Sequence, residues 1–217
     1  MRSILGRETV QGFIDVLFHG REDIKVIQVG VNDGVNADFL KGRIEKFGWS
    51  GLMIEPHPAY IEMAKRNYGD NRRLIWENVA ISNVSGSKPL YYVKDPPEDW
   101  VLGIASFSLK HVEEHGFSGN QIADIRVPCL PLRDLIERHG FHEVDLVVVD
   151  VEGHETNVFQ SIDFTKFSTK LVVLETAHFD RKQFRRILGL FPASYRGVYD
   201  EQFADSVIYN LEPVRGR

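Results

Sequence analysis

Two short segments of this 217-residue sequence gather side chains that could carry chemistry. The segment D-V-E-G-H-E at 150–155 holds three acids and a histidine, and E-T-A-H at 175–178 adds one of each. Such a density of carboxylate and imidazole indicates either a general base or a site for a hard cation that lowers the pKa of a hydroxyl group. Asp150 and His154 are the candidate catalytic bases. The candidate ligands for a divalent cation such as Mg²⁺ are Asp150, Glu175 and His178.

A structural interpretation competes for some of these residues. Acids are common in the first turn of a helix, where they complement the helix dipole. This interpretation applies to Glu152 and Glu155 and is preferred for Glu155, whereas Asp150 follows an apolar strand and is assigned a functional role. Histidines on loops are usually only solvated, so three of them rank as secondary candidate bases: His111, His115 and His178.

The glycine loop G-V-N-D-G at 30–34 could bind a ligand through its backbone. It lacks the G-x-G-x-x-G pattern of dinucleotide folds, and Asp33 would repel a pyrophosphate but attract a cationic group. Glu55 follows at the end of the next strand, where a carboxylate can accept hydrogen bonds from both hydroxyls of a ribose. Taken alone, the glycine loop could be a tight turn and Glu55 could be a helix N-cap. The spacing between the loop and Glu55 favours a nucleoside ligand.

Two further segments could complete such a site. Asn78, Val79 and Ala80 offer an amide and small apolar groups to an uncharged base, although a polar residue at a strand edge is equally ordinary. Residues 94–124 are long and irregular in sequence, which predicts a lid or an acceptor-binding loop. Ser106 lies on it and is predicted to contact a cofactor or an acceptor. The aromatic residues of this segment that could stack on an acceptor are Trp100, Phe107 and Phe117.

The elements that must position these residues alternate between short apolar strands and helical patterns. This alternation predicts one α/β domain over 1–217, with a mostly parallel sheet covered by helices on both faces. An N-terminal helix is predicted at about 7–19, and further helices at 37–47, 58–68, 132–139 and 181–190. The predicted strands are 25–29, 51–54, 74–81, 89–93, 125–128, 145–149, 171–174, 194–199 and 206–210.

Composition narrows the class of protein. The net charge of −5, without a basic aromatic patch, argues against a nucleic-acid partner. Cys129 is the only cysteine, which fits a small buried hydrophobe in a reducing compartment. The sequence shows neither a signal peptide nor a membrane span, so a soluble cytoplasmic protein is expected.

Four motifs together resemble the FkbM-type methyltransferases that depend on S-adenosylmethionine. They are V-I-Q-V-G-V-N-D-G, M-I-E-P-H-P, N-V-A-I-S and D-L-V-V-V-D-V-E-G-H-E, and the resemblance runs from about residue 25 to residue 175. The resemblance implies a Rossmann-like class I methyltransferase fold, with seven strands of which the last is antiparallel. It also implies S-adenosylmethionine as cofactor and O-methylation of a hydroxyl on a sugar, glycolipid or polyketide, so the expected partner is a small-molecule or glycan acceptor.

The same resemblance assigns roles to individual residues. Glu55 would hold the ribose, residues 78–80 would flank the adenine, and Asp150 would lie near the transferred methyl group. Gln28 stands where many class I methyltransferases have an acid, so Asp33 is predicted to supply that charge. The complete predicted cofactor-binding set is Gly30, Asn32, Asp33, Gly34, Asn36, Glu55, Pro56, Asn78, Val79, Ala80 and Ser106.

Two other functions fit part of the pattern. A nicotinamide-dependent oxidoreductase would share the sheet and Glu55, but the sequence has neither G-x-G-x-x-G nor a Tyr-x-x-x-Lys pair. A non-catalytic nucleoside-binding protein would bind the ligand without turnover, which the full set of acids at the strand ends disfavours.

Overall fold

Helices and strands alternate along the chain in the computed structural model, which describes residues 7–36, 38–178, 180–200 and 205–212. The α-helices of this described part are α1 (Arg7–Phe18), α2 (Lys41–Phe47), α3 (Pro58–Tyr68), α4 (Leu109–Glu114), α5 (Leu132–His139), α6 (Glu155–Gln160) and α7 (Arg181–Leu188). The strands are β1 (Lys25–Val29), β2 (Ser50–Ile54), β3 (Leu74–Glu77), β4 (Ala80–Ile81), β5 (Gly86–Val93), β6 (Ile122–Leu130), β7 (Glu143–Val149), β8 (Ser168–Glu175), β9 (Tyr195–Val198) and β10 (Asp205–Asn210).

The main sheet has seven strands in the order β3-β2-β1-β7-β8-β10-β9. The first five are parallel, and β10 pairs antiparallel with β8 and with β9. This arrangement confirms the predicted mostly parallel seven-stranded sheet with an antiparallel last strand. Strand order reverses between β1 and β7, and in open α/β sheets ligands bind at the carboxyl ends of strands near such a reversal.

Both faces of the main sheet are buried, which explains why apolar residues predominate in its central strands. Alternate residues of β1 enter different cores: Val26 packs on one face with Phe18 and Trp49, and Ile27 packs on the other face with Phe159. All five of these side chains are at most 1% exposed. The sheet is therefore a rigid platform for the loops at its carboxyl edge. Among the described residues, no helix has the length and apolar character needed to cross a membrane.

A second sheet of three strands, in the order β4-β6-β5, lies beside the main one. The prediction of one continuous strand at 74–81 is therefore wrong: β3 belongs to the main sheet and β4 to the small one, with Asn78 and Val79 between them. The side-chain nitrogen of Asn78 donates to the carbonyl oxygens of Glu55 at 2.8 Å and Pro56 at 3.0 Å, which fixes the break. Cys129 is buried in the core of the small sheet, as predicted.

The segment 94–124 is less irregular than the sequence predicts. It contains a 3₁₀ helix at Asp99–Ile104, the helix α4 and a second 3₁₀ turn at Gly119–Gln121. Ser106 forms two backbone hydrogen bonds with Tyr91, of 2.9 and 3.0 Å, so the segment is fastened to β5. Single turns are too short to show helical periodicity in a sequence, which is why the prediction missed them.

Candidate active site

A cavity of about 420 Å³ opens at the carboxyl ends of β1, β2, β7 and β8. Most of the predicted site residues line it, although they come from widely separated parts of the chain. These residues are Gly30, Asn32, Asn36, Glu55, Pro56, Val79, Ala80, Ser106, Asp150, His154 and Glu175. Trp100 and Phe107 of the segment 94–124 also line it, whereas Phe117 packs in a separate apolar cluster.

Three predicted cofactor-binding residues do not line the cavity. The carboxylate of Asp33 turns into its own loop, where it accepts hydrogen bonds from the backbone of Val35 and from the backbone and side chain of Asn36. A side chain at Gly34 would meet helix α3, and Asn78 supports the carbonyls that precede α3. In this structure the three residues hold the loops that reach the cavity, and their direct contact with a ligand stays a prediction.

Gly30 allows the loops after β1 and β7 to meet. Its φ of +86° is in the left-handed region, and a Cβ atom built on it would lie 1.7 Å from the carbonyl oxygen of Asp150. The Asp150 backbone N–H donates to the carbonyl of Val29 at 3.0 Å. The two loops therefore cannot separate without breaking hydrogen bonds between β1 and β7. Only glycine fits at this position.

Glu55 is held at the cavity wall by two backbone hydrogen bonds. One carboxylate oxygen accepts from the Asn32 N–H at 2.9 Å and the other from the His57 N–H at 2.8 Å. The residue is only 5% exposed, and burial raises its pKa to about 7 against these two bonds. Each oxygen still has a free lone pair, which is what a ligand with two adjacent hydroxyls requires.

The raised pKa of Glu55 predicts a pH-dependent stability. Between its ordinary value of 4.5 and about 7, the folded chain holds a proton that the unfolded chain has released. This proton therefore adds to the free energy of unfolding. Its contribution, roughly 3 kcal/mol, is fully present below about pH 4.5 and is lost as the pH rises through 7. Urea unfolding across this range should show that fall in the wild type and a smaller one in Glu55→Gln. Equal pH dependence in the two proteins would contradict the assignment.

Asp38 is a cavity residue that the sequence analysis missed. One of its oxygens accepts from the backbone N–H groups of Leu40 and Lys41, directly before and at the first residue of α2. The other accepts from the hydroxyl of Tyr68 at 2.6 Å. Gln28 also donates to Asp38, and burial raises the pKa of the Asp38 carboxyl. Asp38 therefore places a carboxyl group beside Gln28 at the cavity wall.

Asp150 and Glu175 form a hydrogen-bonded carboxyl pair at the ends of β7 and β8. The side chain of Asp150 is exposed and lies at the cavity wall. Burial, together with repulsion from neighbouring acids, raises the pKa of both groups. The pair therefore keeps a proton at a pH where two isolated carboxyl groups would both be ionised.

The second candidate base, His154, also faces the cavity. Its Nε2 atom lies 3.4 Å from the Ser82 hydroxyl, and its ring packs edge-on against Phe107. Burial, with a smaller effect from Lys88, lowers its pKa to about 4. The imidazole is therefore neutral at neutral pH and a weak base.

Glu152 lies at the centre of a cluster that the sequence did not predict. Its Oε2 atom is 3.0 Å from His111 Nε2 and 3.2 Å from His178 Nε2. Burial raises the pKa of Glu152, but the two imidazoles outweigh burial and hold it below its usual value. His178 therefore groups with His111 and Glu152, whereas the other two predicted metal ligands, Asp150 and Glu175, group with Glu152 in a second cluster.

The loop that carries Glu152 is held from two sides. The Ser106 hydroxyl donates to the carbonyl of Glu152 at 2.9 Å, which ties the segment 94–124 to the loop. One oxygen of Glu155 accepts from the backbone N–H groups of Val151 and Gly153. Glu155 is 1% exposed and therefore has the structural role that the sequence analysis preferred for it.

Known structures share this fold at low sequence identity. Methyltransferase FkbM from Methylobacillus flagellatus superposes with a TM-score of 0.52 at 14% identity, over 87% of this chain. The match spans 44% of that protein, so this chain corresponds to less than half of its length. A putative rRNA methylase from Clostridium thermocellum superposes with a TM-score of 0.55 at 8% identity, over 97% of this chain and 98% of that one.

Sequence comparison identifies the family. No curated protein sequence matches the chain significantly. The model of the methyltransferase FkbM domain matches residues 28–202, which include the glycine loop, Glu55 and the strand ends around Asp150 and Glu175. The structural matches support the fold of a methyltransferase. The chain therefore belongs to the methyltransferase FkbM domain family.

Proposed function

We propose that this chain binds S-adenosylmethionine in the cavity and methylates a hydroxyl oxygen of a small-molecule or glycan acceptor. One observation carries the proposal: the same cavity exposes a buried carboxylate, Glu55, and the carboxyl pair of Asp150 and Glu175. The first can recognise a ribose, and the second can take a proton from an acceptor. The family supports methyl transfer as the reaction.

The polar end of the cavity fits the methionine part of the cofactor. Gln28 Oε1 and Asn32 Oδ1 are buried acceptors without a hydrogen-bond partner. Unpaired buried acceptors are costly, and an ammonium group would satisfy them. Asp38 adds a carboxylate at this end, so the charge that was expected from Asp33 is assigned to Asp38.

Glu55 and the apolar wall fit the adenosine part. The two free lone pairs of Glu55 would accept the ribose hydroxyls. Val79, Ala80 and Leu90 are each at most 8% exposed and give the wall beside Glu55 its apolar character. An uncharged adenine ring is compatible with this surface. The phosphates of a dinucleotide such as NAD would find no lysine or arginine among the lining residues.

Asp150 would act on the acceptor. The bound cofactor supplies an electrophilic methyl group on a sulfonium, which needs little further activation, so the protein must align the acceptor and remove its proton. Asp150 is a carboxyl group at the end of β7 that faces the cavity, so we assign it as general base. Trp100, 52% exposed at the cavity rim, offers a flat apolar surface to a sugar ring or a polyketide.

Asp150→Asn should lower kcat by about 10²–10⁴-fold while the affinity for S-adenosylmethionine stays within about threefold. The amide keeps the shape of the side chain but cannot accept the proton. We suggest measuring release of S-adenosylhomocysteine with a panel of sugars, glycolipids and hydroxylated polyketides, with EDTA or Mg²⁺ present. Asp124→Asn, on the exposed face of β6, is the matched control and should keep full activity.

Full activity of Asp150→Asn on an acceptor that the wild type methylates would remove Asp150 as the base. Methylation of amines or carbons, with no hydroxylated acceptor used, would overturn O-methylation but leave methyl transfer intact. A rate that is the same in EDTA and in Mg²⁺ would remove the predicted Mg²⁺ requirement.

A further inference from the structure

His111, Glu152 and His178 come from three separate parts of the chain and converge beside the cavity. His111 lies on α4, Glu152 follows β7, and His178 follows β8. Both histidines direct Nε2 at the same carboxylate oxygen, at 3.0 and 3.2 Å, and their rings lie nearly perpendicular with centroids 4.6 Å apart. Nothing in the proposed methyl transfer uses this cluster.

The spacing of these atoms matches that of ligands around one metal ion. A ligand–metal distance of about 2.1 Å separates neighbouring ligand atoms by about 3.0 Å in octahedral and about 3.4 Å in tetrahedral coordination. The two Nε2–Oε2 distances lie within this interval, and one donor atom from each residue falls within 4.8 Å of the others.

A second observation points to a missing ligand. His111 is 8% exposed, and its Nε2 atom is buried with no hydrogen bond of acceptable geometry, although it points at Glu152. Glu152 itself has φ of +50°, a left-handed conformation that a glutamate rarely adopts. Strained residues of this kind concentrate where a side chain must be aimed at a ligand.

We propose that His111, Glu152 and His178 bind one divalent transition-metal ion of the Zn²⁺ class. Two imidazoles and one carboxylate suit Zn²⁺, Co²⁺ or Fe²⁺ and are a poor set for Mg²⁺, which prefers oxygen ligands. Three protein ligands leave at least one coordination position open. Glu152 also lines the cavity, so the metal would lie at its wall.

The ion would have a structural consequence for the segment 94–124. Because His111 is on α4 while the other two ligands follow strands of the main sheet, coordination would fasten this segment to the sheet edge. The Ser106–Glu152 hydrogen bond already joins the same two parts, so the metal would strengthen an existing contact. This inference does not depend on the proposed methyl transfer.

The test is metal binding by the chain without cofactor. EDTA-treated protein is titrated calorimetrically with Zn²⁺ and spectroscopically with Co²⁺, whose visible absorption reports nitrogen ligands and coordination number. We expect one ion per chain, and a loss of affinity greater than about 100-fold in His111→Ala and in His178→Ala, since even changes outside the ligand set cost about 10–100-fold. Circular dichroism verifies folding, and His178 is exposed enough for its variant to fold.

His142→Ala is the matched control, because it removes a histidine that precedes β7 at the opposite end of that strand. It should bind the metal as the wild type does. Absence of stoichiometric Zn²⁺ and Co²⁺ binding would overturn the proposal. So would binding that survives in both histidine variants, or binding that requires Asp150 and Glu175 instead. None of these outcomes depends on S-adenosylmethionine, so failure here is distinct from failure of the proposed methyl transfer.

Discussion

Glu55→Gln is expected to raise the Kd for S-adenosylmethionine by at least about 100-fold. The expectation applies above pH 7, where Glu55 is ionised. Hydrogen bonds to a charged group contribute about 1.5–3 kcal/mol each, and about 1.4 kcal/mol corresponds to a tenfold change in Kd. The loss should be severe because both oxygens of Glu55 already accept backbone N–H groups, from Asn32 and His57. An amide in this position must turn its NH₂ toward one of these donors, which also displaces the loop beside the ribose.

Glu77→Gln is the control for that variant. Glu77 ends the neighbouring strand β3 and pairs with Arg138 and His139 outside the cavity. Its substitution should leave the Kd for S-adenosylmethionine within about twofold, measured by calorimetry under the same conditions. If Glu55→Gln also binds with wild-type affinity, the ribose is not held by Glu55 and the orientation of the cofactor proposed above is wrong.

Gly30→Ala is expected to lower the free energy of unfolding by at least about 3 kcal/mol. Left-handed backbone in a residue with a side chain costs about 1–3 kcal/mol by itself. The added Cβ would also lie 1.7 Å from the Asp150 carbonyl oxygen, so the loops after β1 and β7 would have to separate. Because these loops form the cavity, affinity for S-adenosylmethionine should fall with stability. Denaturant unfolding and calorimetry measure the two effects.

Gly42→Ala provides the comparison for the glycine variant. Gly42 lies within α2, is exposed, and has no atom within 4 Å of an added Cβ. Alanine there should stabilise the chain by about 0.5–1 kcal/mol, since alanine is the better helix former. A Gly30→Ala protein as stable as the wild type would show that the close approach between Gly30 and Asp150 does not constrain the fold.

The sheet and its carboxyl edge could be predicted because their signals are local. Strands such as β1 and β7 carry apolar residues on both faces, which indicates burial on both sides of the sheet. Each is followed directly by a polar or glycine residue, so the order Gly30, Glu55, Asp150, Glu175 along the chain identified one edge of one sheet. These four residues line one cavity in the structure.

The failures involve side chains whose role depends on three-dimensional neighbours. Asp33 has the expected charge but satisfies its own turn, whereas Asp38, five residues later, resembles an ordinary helix cap and also lines the cavity. Asn78 occurs in an apparently continuous strand, and only its bonds to the carbonyls of Glu55 and Pro56 show the break. No local pattern distinguishes these cases.

The histidine cluster was beyond sequence reasoning for a related reason. His111 and His178 are 67 positions apart and are joined only through Glu152, which a sequence presents as an ordinary acid before a helix. The left-handed conformation of Glu152, followed by Gly153, turns the carboxylate toward both rings. The V-E-G sequence after a buried strand is the only sign of this turn in the sequence. It does not show that His111 and His178 lie next to Glu152 in the folded chain.

Calorimetric titration of the wild-type chain with S-adenosylmethionine, with NAD as the competitor ligand, tests the central proposal most directly. The arrangement of Glu55, Gln28, Asn32 and Asp38 predicts stoichiometric binding of S-adenosylmethionine and of its demethylated product, with no measurable binding of NAD. Binding of NAD without a response to S-adenosylmethionine would contradict the proposed function and favour the oxidoreductase alternative.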